Sequence, residues 1–211
     1  MQNVTDRTSN PFGMQPDCPS FVPGYGDANA DFHVVGDHPG VHGGVDTGVP
    51  FTGTPWSASF LTALVDAGLL VDDDPERPRV ASTFFSYLHT CVPDAEPPTP
   101  EAYADMERFF DAELRAIAAH VLLPVGERAT EHVLETYTAR NPKRAREIDR
   151  LHARELHGSG FLVVPIKDPA DWTDDDADRL VGALVALQAT DYRRESDLGR
   201  FLPGGDPYYV R

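Results

Sequence analysis

Cysteine is scarce in this chain, and that scarcity excludes a class of metal site. Among 211 residues there are two cysteines, Cys18 and Cys91. Two thiols cannot form a four-thiolate site on their own. Because disulfides are uncommon in the cytoplasm, we predict that the two cysteines are unconnected thiols.

Long apolar runs are also missing. No stretch approaches the ~18 consecutive apolar residues that mark a membrane-spanning helix. The polar start MQNVTDRTSN lacks the basic-then-apolar order of a signal peptide. We therefore expect a cytoplasmic protein with no membrane partner.

Positive charge is in short supply as well. The chain has 34 acidic and 18 basic residues, a formal net charge of −16, and its only lysines are Lys143 and Lys167. Acidic, lysine-poor surfaces stay hydrated in molar salt, where screening shortens charge repulsion to ~3 Å. This balance predicts a halophilic protein. Since salt also weakens charge-driven phosphate binding, any nucleic-acid contact would depend on local arginines, stacking and shape.

The order of apolar segments indicates the fold. Four β-branched or aromatic segments predict buried strands, at 32–36, 80–88, 120–125 and 161–166. Helices are predicted at 55–70, 99–119, from 126, at 140–155 and at 173–187. Strands that alternate with helices imply an α/β fold, a three-layer α/β/α sandwich with a central four-stranded parallel sheet. We expect an N-terminal arm at 1–31, one domain at 32–190 and a C-terminal tail at 191–211.

Residues 34–53, VVGDHPGVHGGVDTGVPFTG, form the most informative stretch. An apolar strand breaks into a glycine-rich loop whose backbone can approach a ligand, and open α/β sheets bind ligands at the carboxyl ends of their strands. Neither GxGxxG nor GxxxxGK[ST] is present. Asp37, His38 and His42 could position or activate a water as general base. The alternative is an exposed polar turn without chemistry.

Two further features allow more than one interpretation. Phe51 follows a proline in the same loop, where an aromatic ring can stack on a base or simply pack in the core. A basic segment at 140–154 could track phosphates, or it could be a solvated helix face paired with acids. It holds Arg140, Lys143, Arg144, Arg146, Arg150 and Arg154.

Ordered motifs resemble the uracil-DNA glycosylase superfamily, nearest its bacterial and archaeal iron–sulfur branch and in a form suggestive of haloarchaea. The first and most specific is Gly36-Asp37-His38-Pro39-Gly40. It is followed by TGVPFTG from residue 47, CVPD from 91, TPE from 99, LLPVG from 122 and VVPI from 163, the last leading into Asp168-Pro169.

The resemblance implies a DNA-repair enzyme that flips a uracil nucleotide out of DNA and hydrolyses its N-glycosidic bond. It implies that DNA is the partner, and we expect a monomer. The catalytic candidates are Asp37, His38 and Asp168. The resemblance and the loop together assign substrate contacts to Gly36, Gly40, His42, Phe51, Ser86 and Tyr87. The basic segment assigns DNA contacts to Arg140, Lys143 and Arg144.

Three catalytic positions depart from the family pattern. Asp37 replaces the Glu, Asn or other specific residue that usually follows the first glycine. Tyr87, with Ser86 beside it, stands where a uracil-reading Asn is often found. Asp168 replaces a histidine that stabilises the departing uracil anion. An ionised carboxylate there would repel that anion and reverse a contribution of ~2.7–4 kcal/mol, unless His38 or His42 supplies the lost imidazole.

The cluster of the iron–sulfur branch is also incomplete. Only Cys18 and Cys91 stand at plausible ligand positions, and Met106 occupies the place of the fourth cysteine, so no iron–sulfur cofactor is expected. Three hypotheses remain: an active glycosylase for uracil or another damaged base, a catalytically diverged nucleic-acid or nucleobase-binding member, and an acidic α/β domain without a nucleic-acid role.

Overall fold

A six-stranded sheet runs through the computed structural model, which describes residues 4–93 and 97–199. The ends of the predicted arm and tail, at 1–3 and 200–211, and part of the loop before residue 100 lie outside the described residues. The strands are β1 (Tyr25–Gly26), β2 (Phe32–Gly36), β3 (Thr83–Tyr87), β4 (Val121–Pro124), β5 (Leu156–His157) and β6 (Leu162–Val163).

The sheet order is β1-β3-β2-β4-β6-β5. Its four central strands are parallel, as predicted, and the short strands β1 and β5 add antiparallel edges. The structure corrects the strand count, because two-residue edge strands are too short to show a periodic pattern in the sequence.

Helices cover both faces of the sheet. They are α1 (Pro39–His42), α2 (Ser57–Asp66), α3 (Pro100–Ile117), α4 (Gly126–Tyr137), α5 (Ile148–Leu151), α6 (Asp174–Gln188) and α7 (Tyr192–Gly199), with 3₁₀-helices at Val4–Asp6, Pro142–Glu147 and Pro169–Asp171. Successive strand residues point to opposite faces. Val34 packs with Leu180 of α6 in one core, and Val35 packs with Phe110 of α3 in the other. The predicted α/β/α sandwich is confirmed.

The predicted helix over 140–155 is wrong. This segment forms the 3₁₀-helix Pro142–Glu147 and then the single turn α5. Ala145, Ile148 and Leu151 recur every three residues, which matches the 3.0 residues per turn of a 3₁₀-helix, and Ala145 and Leu151 are buried. Spacing of this kind presents one apolar edge without a continuous α-helix.

The prediction of two unconnected thiols is also wrong. Cys18 and Cys91 form a disulfide. The arm runs antiparallel to the segment after β3, with Val22 N–H donating to Thr90 C=O at 2.9 Å. This pairing brings the two Cα atoms to 6.2 Å, within the range that a disulfide spans. The sequence could not show it, because the pairing depends on where the arm docks.

No helix within residues 4–93 and 97–199 is long and apolar enough to cross a membrane.

A buried carboxyl joins the arm to α3. Glu113 is 2% exposed, and the Gly24 N–H donates to it. A Cβ at residue 24 would lie 2.5 Å from Glu113 Oε1, so a side chain there would prevent this approach. Burial raises the pKa of Glu113 to about 8, from its ordinary 4.5. The folded protein therefore holds this proton at neutral pH, whereas the unfolded chain releases it.

Glu113→Gln should make the protein less sensitive to alkaline pH. Because the pKa of Glu113 is higher in the folded protein, its bound proton adds to the free energy of unfolding. This contribution is fully present below pH 4.5 and is lost as the pH rises through 8. Because glutamine stays neutral, the variant should match the native protein near pH 4.5. At pH 8 the variant should melt roughly 5 °C or more above the native protein, measured by circular dichroism at fixed KCl concentration.

Glu107→Gln, which changes an exposed acid on the same helix, is the control. Parallel pH curves for native protein and Glu113→Gln would contradict the argument.

Candidate active site

The carboxyl ends of the parallel strands place the candidate site at one rim of the sheet. Gly36 ends β2 and Tyr87 ends β3, and these two residues are partners in the β2–β3 register. Val125 and Ile166 pair just beyond β4 and β6. The loops that follow these positions are therefore neighbours, although they are far apart in sequence.

His42 connects two of these loops. The Asp37 backbone N–H donates to His42 Nδ1 at 2.9 Å, so this nitrogen must present its lone pair. The proton of the neutral ring then lies on Nε2, which is 3.4 Å from Asp168 Oδ2. The ring is 1% exposed. Asp37, His42 and Asp168 therefore form one row of contacts in the structure. Asp37 and Asp168 are 131 positions apart in the sequence.

Asp168 is fixed from two sides at the start of the 3₁₀-helix Pro169–Asp171. Its Oδ1 accepts from the Ala170 N–H at 2.9 Å, and its Oδ2 faces His42. Burial works to raise the pKa of Asp168, but the hydrogen bonds from His42 and the Ala170 amide outweigh burial and hold that pKa below its ordinary range. The carboxylate is therefore ionised at neutral pH, and its side chain remains 25% exposed.

Asp37 has a second anchor. Its Oδ1 accepts a hydrogen bond of 2.5 Å from the Tyr103 hydroxyl at the start of α3. The guanidinium of Arg128, on α4, lies over the Tyr103 ring at 4.1 Å from its centroid. Neither Tyr103 nor Arg128 was among the predicted site residues. Only their places in the first turns of α3 and α4, beside the rim, could have drawn attention to them.

Gly126 lies between the two charged loops. It is the first residue of α4, and its N–H donates to Ile166 C=O at 2.8 Å. A Cβ there would be 3.7 Å from Asp168 Oδ2 and 3.8 Å from His42 Nε2. The helix start therefore closes one side of the space that His42 and Asp168 share.

Phe51 is packed in the interior. It is 0% exposed, with ring centroids 5.3 Å from Phe60, 5.5 Å from Phe85 and 5.4 Å from Tyr87. Its backbone has φ +66°, a region that bulky residues rarely adopt. The ring borders the site through His42, at 5.6 Å. A base could stack on Phe51 only after movement of the rings around it.

Tyr87 braces the glycine-rich loop. Its hydroxyl accepts from the Phe51 N–H at 2.8 Å and lies 2.8 Å from the His42 carbonyl, to which it donates. The ring occupies the space above Gly36, where a Cβ would lie 2.6 Å from Tyr87 Cε1. Tyr87 therefore holds the backbone of the loop that carries His42.

Of the remaining predicted residues, two lie in the loop and one does not. His38 is buried and precedes α1, where its carbonyl accepts from the His42 N–H at 2.9 Å, and Gly40 is exposed in α1. Ser86 points to the opposite face of the sheet from Tyr87. Its hydroxyl bonds to His33 Nε2 at 2.7 Å, so the structure does not bring it to the site.

One buried contact joins the basic segment to the site rim. His152 is 0% exposed, and its Nδ1 accepts the Lys167 N–H at 3.0 Å, next to Asp168. Lys143 and Arg144 are exposed and Arg140 is half-buried, with its Nε donating to the His157 carbonyl at 3.2 Å. The contact with Lys167 therefore does not itself bring the predicted DNA-binding residues to the site.

The part of the chain that the structure describes contains no candidate metal site. Residues 4–93 and 97–199 contain no group of three or more His, Cys, Asp or Glu side chains arranged to hold a metal ion. The charged groups at the rim contact one another and the backbone instead.

An α/β/α domain with carboxylates and an imidazole at its strand rim is a fold suited to hydrolysis of a bound ligand. Residues 23–179 match the family model of the uracil DNA glycosylase superfamily, and the chain belongs to that superfamily. The resemblance of the motifs to this superfamily is confirmed.

Two curated relatives are both named Type-5 uracil-DNA glycosylase. The protein from Thermus thermophilus is 32% identical over 126 residues, covering 56% of this chain and 56% of the relative. The protein from Pyrobaculum aerophilum is 32% identical over 119 residues, covering 54% of this chain and 52% of the relative. This chain thus spans about half the length of the curated relatives it matches.

Tyr87→Phe should destabilise the fold through the loop. It removes one hydroxyl that serves the buried Phe51 N–H and His42 carbonyl, and the expected loss is ~1–3 kcal/mol in the free energy of unfolding, measured by denaturant titration. Tyr25→Phe is the control, because the buried Tyr25 hydroxyl serves only the Pro78 carbonyl among the contacts seen. An equal or larger loss in the control would show that Tyr87 does not brace the loop.

Proposed function

We propose that the protein is a DNA glycosylase that hydrolyses the N-glycosidic bond of uracil, or of another damaged base, in a nucleotide flipped out of DNA. The observation that carries the proposal is the row of contacts from the Asp37 amide through His42 to the Asp168 carboxylate. It lies at the strand rim of a chain in the uracil DNA glycosylase superfamily. The names of the relatives support a role in base excision repair.

Hydrolysis requires a water at C1′ of the sugar and an acceptor for one of its protons. The water oxygen bonds to C1′ as the C1′–N bond breaks, the bonding pair leaves with the base, and the proton passes to a carboxylate. Asp168 suits this role because it is ionised, fixed by two donors and partly exposed. Glycosidic bond cleavage also develops positive charge on the sugar, which the carboxylates of Asp168 and Asp37 would stabilise.

The departing base becomes an anion and needs a donor. The His42 Nε2–H lies beside Asp168, the residue that replaces the family histidine, so the loop returns an imidazole N–H to the same place. At 3.4 Å its contact with Asp168 is long for a hydrogen bond, so the same N–H can also donate to a base oxygen placed beside Asp168. His42 would thus offset the repulsion between Asp168 and the base.

DNA is the proposed macromolecular partner, bound by a monomer. Arg140, Lys143 and Arg144 would contact phosphates along the basic segment, which contacts Lys167 through His152. Because phosphate contacts weaken in salt, we assign them positioning of the strand rather than most of the affinity.

We further propose that the protein acts in a halophilic cytoplasm. The proposal rests on the net charge of −16 and the two lysines. The disulfide between Cys18 and Cys91 weighs against a reducing compartment, so the surface charge alone supports this location.

The activity is tested by incubating the protein in molar KCl with oligonucleotides that contain uracil, hypoxanthine or xanthine and measuring abasic product. At least one substrate should be cleaved. DNA binding without product from any of the three would contradict the proposal for these bases. Failure to bind any oligonucleotide at moderate salt would instead favour an acidic domain without a nucleic-acid role.

Asp168→Asn should lower the single-turnover cleavage rate about 100-fold or more while DNA binding is retained, because an amide cannot accept the water proton. Asp171→Asn is the matched control, since it removes the same charge three residues away from an exposed position and should cleave normally. Faster cleavage by Asp168→Asn would show that the carboxylate only repels the departing anion.

The packing of Phe51 favours a second candidate, a catalytically diverged member that binds nucleic acid or a nucleobase without cleaving it. Phe51 is 0% exposed and is surrounded by aromatic rings, so base stacking must displace part of the core. A protein that retains the loop but not an open stacking surface would bind without cleaving.

Phe51→Leu tests whether the ring contacts a base. Phe60→Leu is the control, because Phe60 is equally buried and packs against Phe51. Both variants should lose similar stability, but Phe51→Leu alone should weaken uracil-oligonucleotide binding, about tenfold if one stacking contact is lost. Phe51→Ala should likewise weaken base binding more than Arg144→Ala does. Equal binding losses in the paired variants would identify Phe51 as core only.

A further inference from the structure

Tyr103 joins α3 to the loop after β2 at the point where the candidate chemistry lies. Its hydroxyl is 2.5 Å from Asp37 Oδ1, and the two residues are 66 positions apart in sequence. Asp37 uses its backbone N–H to hold His42 and its side chain to accept from Tyr103. Asp37 therefore connects helix α3, the loop after β2 and the His42 imidazole.

The Tyr103 ring is held on two sides. The Arg128 guanidinium covers its face at 4.1 Å, a cation–π contact that links α4 to α3. The His89 ring meets it edge-on at 5.6 Å, and the His89 N–H donates to the Asp37 carbonyl at 3.0 Å. His89 therefore contacts both residues of the Tyr103–Asp37 pair, and Arg128 contacts Tyr103.

Close packing alone does not hold this ring. Tyr103 and Arg128 both line a cavity of about 530 Å³ between α3 and α4. Beside an open space, a tyrosine ring can move unless specific contacts restrain it. The contacts of Tyr103 with Arg128, His89 and Asp37 are restraints of this kind.

We propose that Tyr103, restrained by Arg128, is a positioning residue that orients the Asp37 carboxylate in the site. The inference rests on the proposed glycosylase function. With Oδ1 committed to Tyr103, Oδ2 is the oxygen that can face the sugar or the water. Burial and the neighbouring Asp37 carboxylate raise the pKa of Tyr103, so the hydroxyl keeps its proton and acts as donor at neutral pH.

Tyr103→Phe tests this role because it removes only the hydroxyl. Tyr137→Phe is the matched control: the Tyr137 hydroxyl, on α4, donates to Asp111 Oδ1, on α3, at 2.7 Å, which is the same kind of tyrosine–aspartate bond. We expect Tyr103→Phe to cleave about tenfold more slowly in single turnover. The loss should fall on the cleavage rate and leave the Kd for DNA unchanged, because Asp37 is assigned to the reacting sugar and not to capture of the strand. The control should keep the native cleavage rate and Kd.

Arg128→Gln should slow cleavage by a smaller factor in the native background and have no effect in the Tyr103→Phe background. That non-additivity is the signature of a residue that acts through Tyr103. Equal effects in both backgrounds, or an unchanged cleavage rate in Tyr103→Phe, would overturn the proposal.

A second readout does not depend on activity. The chemical shift of the Asp37 carboxyl carbon, measured at neutral pH with aspartate labelled, should change in Tyr103→Phe because the carboxylate loses its donor, and should not change in Tyr137→Phe. If the native protein cleaves no substrate, the proposed function fails but this chemical shift still decides whether Tyr103 holds Asp37. An unchanged Asp37 carboxyl signal in Tyr103→Phe would overturn the inference regardless of activity.

Discussion

The hydrogen bond from the Asp37 amide to His42 Nδ1 is the constraint on which the candidate site depends. A backbone amide can only donate, so it fixes which ring nitrogen carries the proton and directs the Nε2–H toward Asp168. That contact in turn helps to keep the Asp168 carboxylate ionised. One main-chain group thus determines the protonation pattern of a histidine and a carboxylate that belong to different loops.

The surrounding structure keeps this amide in place. Tyr87 holds the His42 carbonyl from the neighbouring strand, and Tyr103 holds the Asp37 side chain from α3. The disulfide fastens the arm to the segment that contains His89, whose N–H binds the Asp37 carbonyl. Contacts from a strand, a helix and the arm therefore converge on one turn, which is how a glycine-rich loop acquires a defined geometry.

Much of the fold could be predicted because apolar periodicity is a local property. The parallel strands and the helices on both faces follow from it, and so does the gathering of loops at one rim. The interpretation of 140–155 as a helix failed because residues 145, 148 and 151 have a spacing that suits either a helix face or a 3₁₀-helix. The disulfide and the Tyr103–Asp37 contact could not be predicted, since each joins segments whose proximity is created by the tertiary fold.

The superfamily of the chain was easier to predict from the sequence than the role of each side chain at the site. Gly36, Asp37 and His38 belong to the motif by which the sequence resembles the superfamily, but the motif does not show that Ser86 turns away from the site or that Phe51 is enclosed. Adjacent strand residues face opposite sides of the sheet, so Ser86 and Tyr87 could not both line one pocket. The register of strand β3, rather than the motif, decides whether Ser86 or Tyr87 lies at the site.

Distance also determines how the candidate site and the proposed DNA-binding residues would respond to salt. In molar salt the screening length is ~3 Å, so the exposed arginines attract phosphates only at close contact. The row from Asp37 to Asp168 runs through a ring that is 1% exposed, and partly buried contacts are screened much less. High salt would therefore leave the proton positions of the site intact while it removes long-range steering. Under the proposed function, substrate capture in molar salt would therefore depend on shape and stacking, and stacking on Phe51 would require movement of the rings that enclose it.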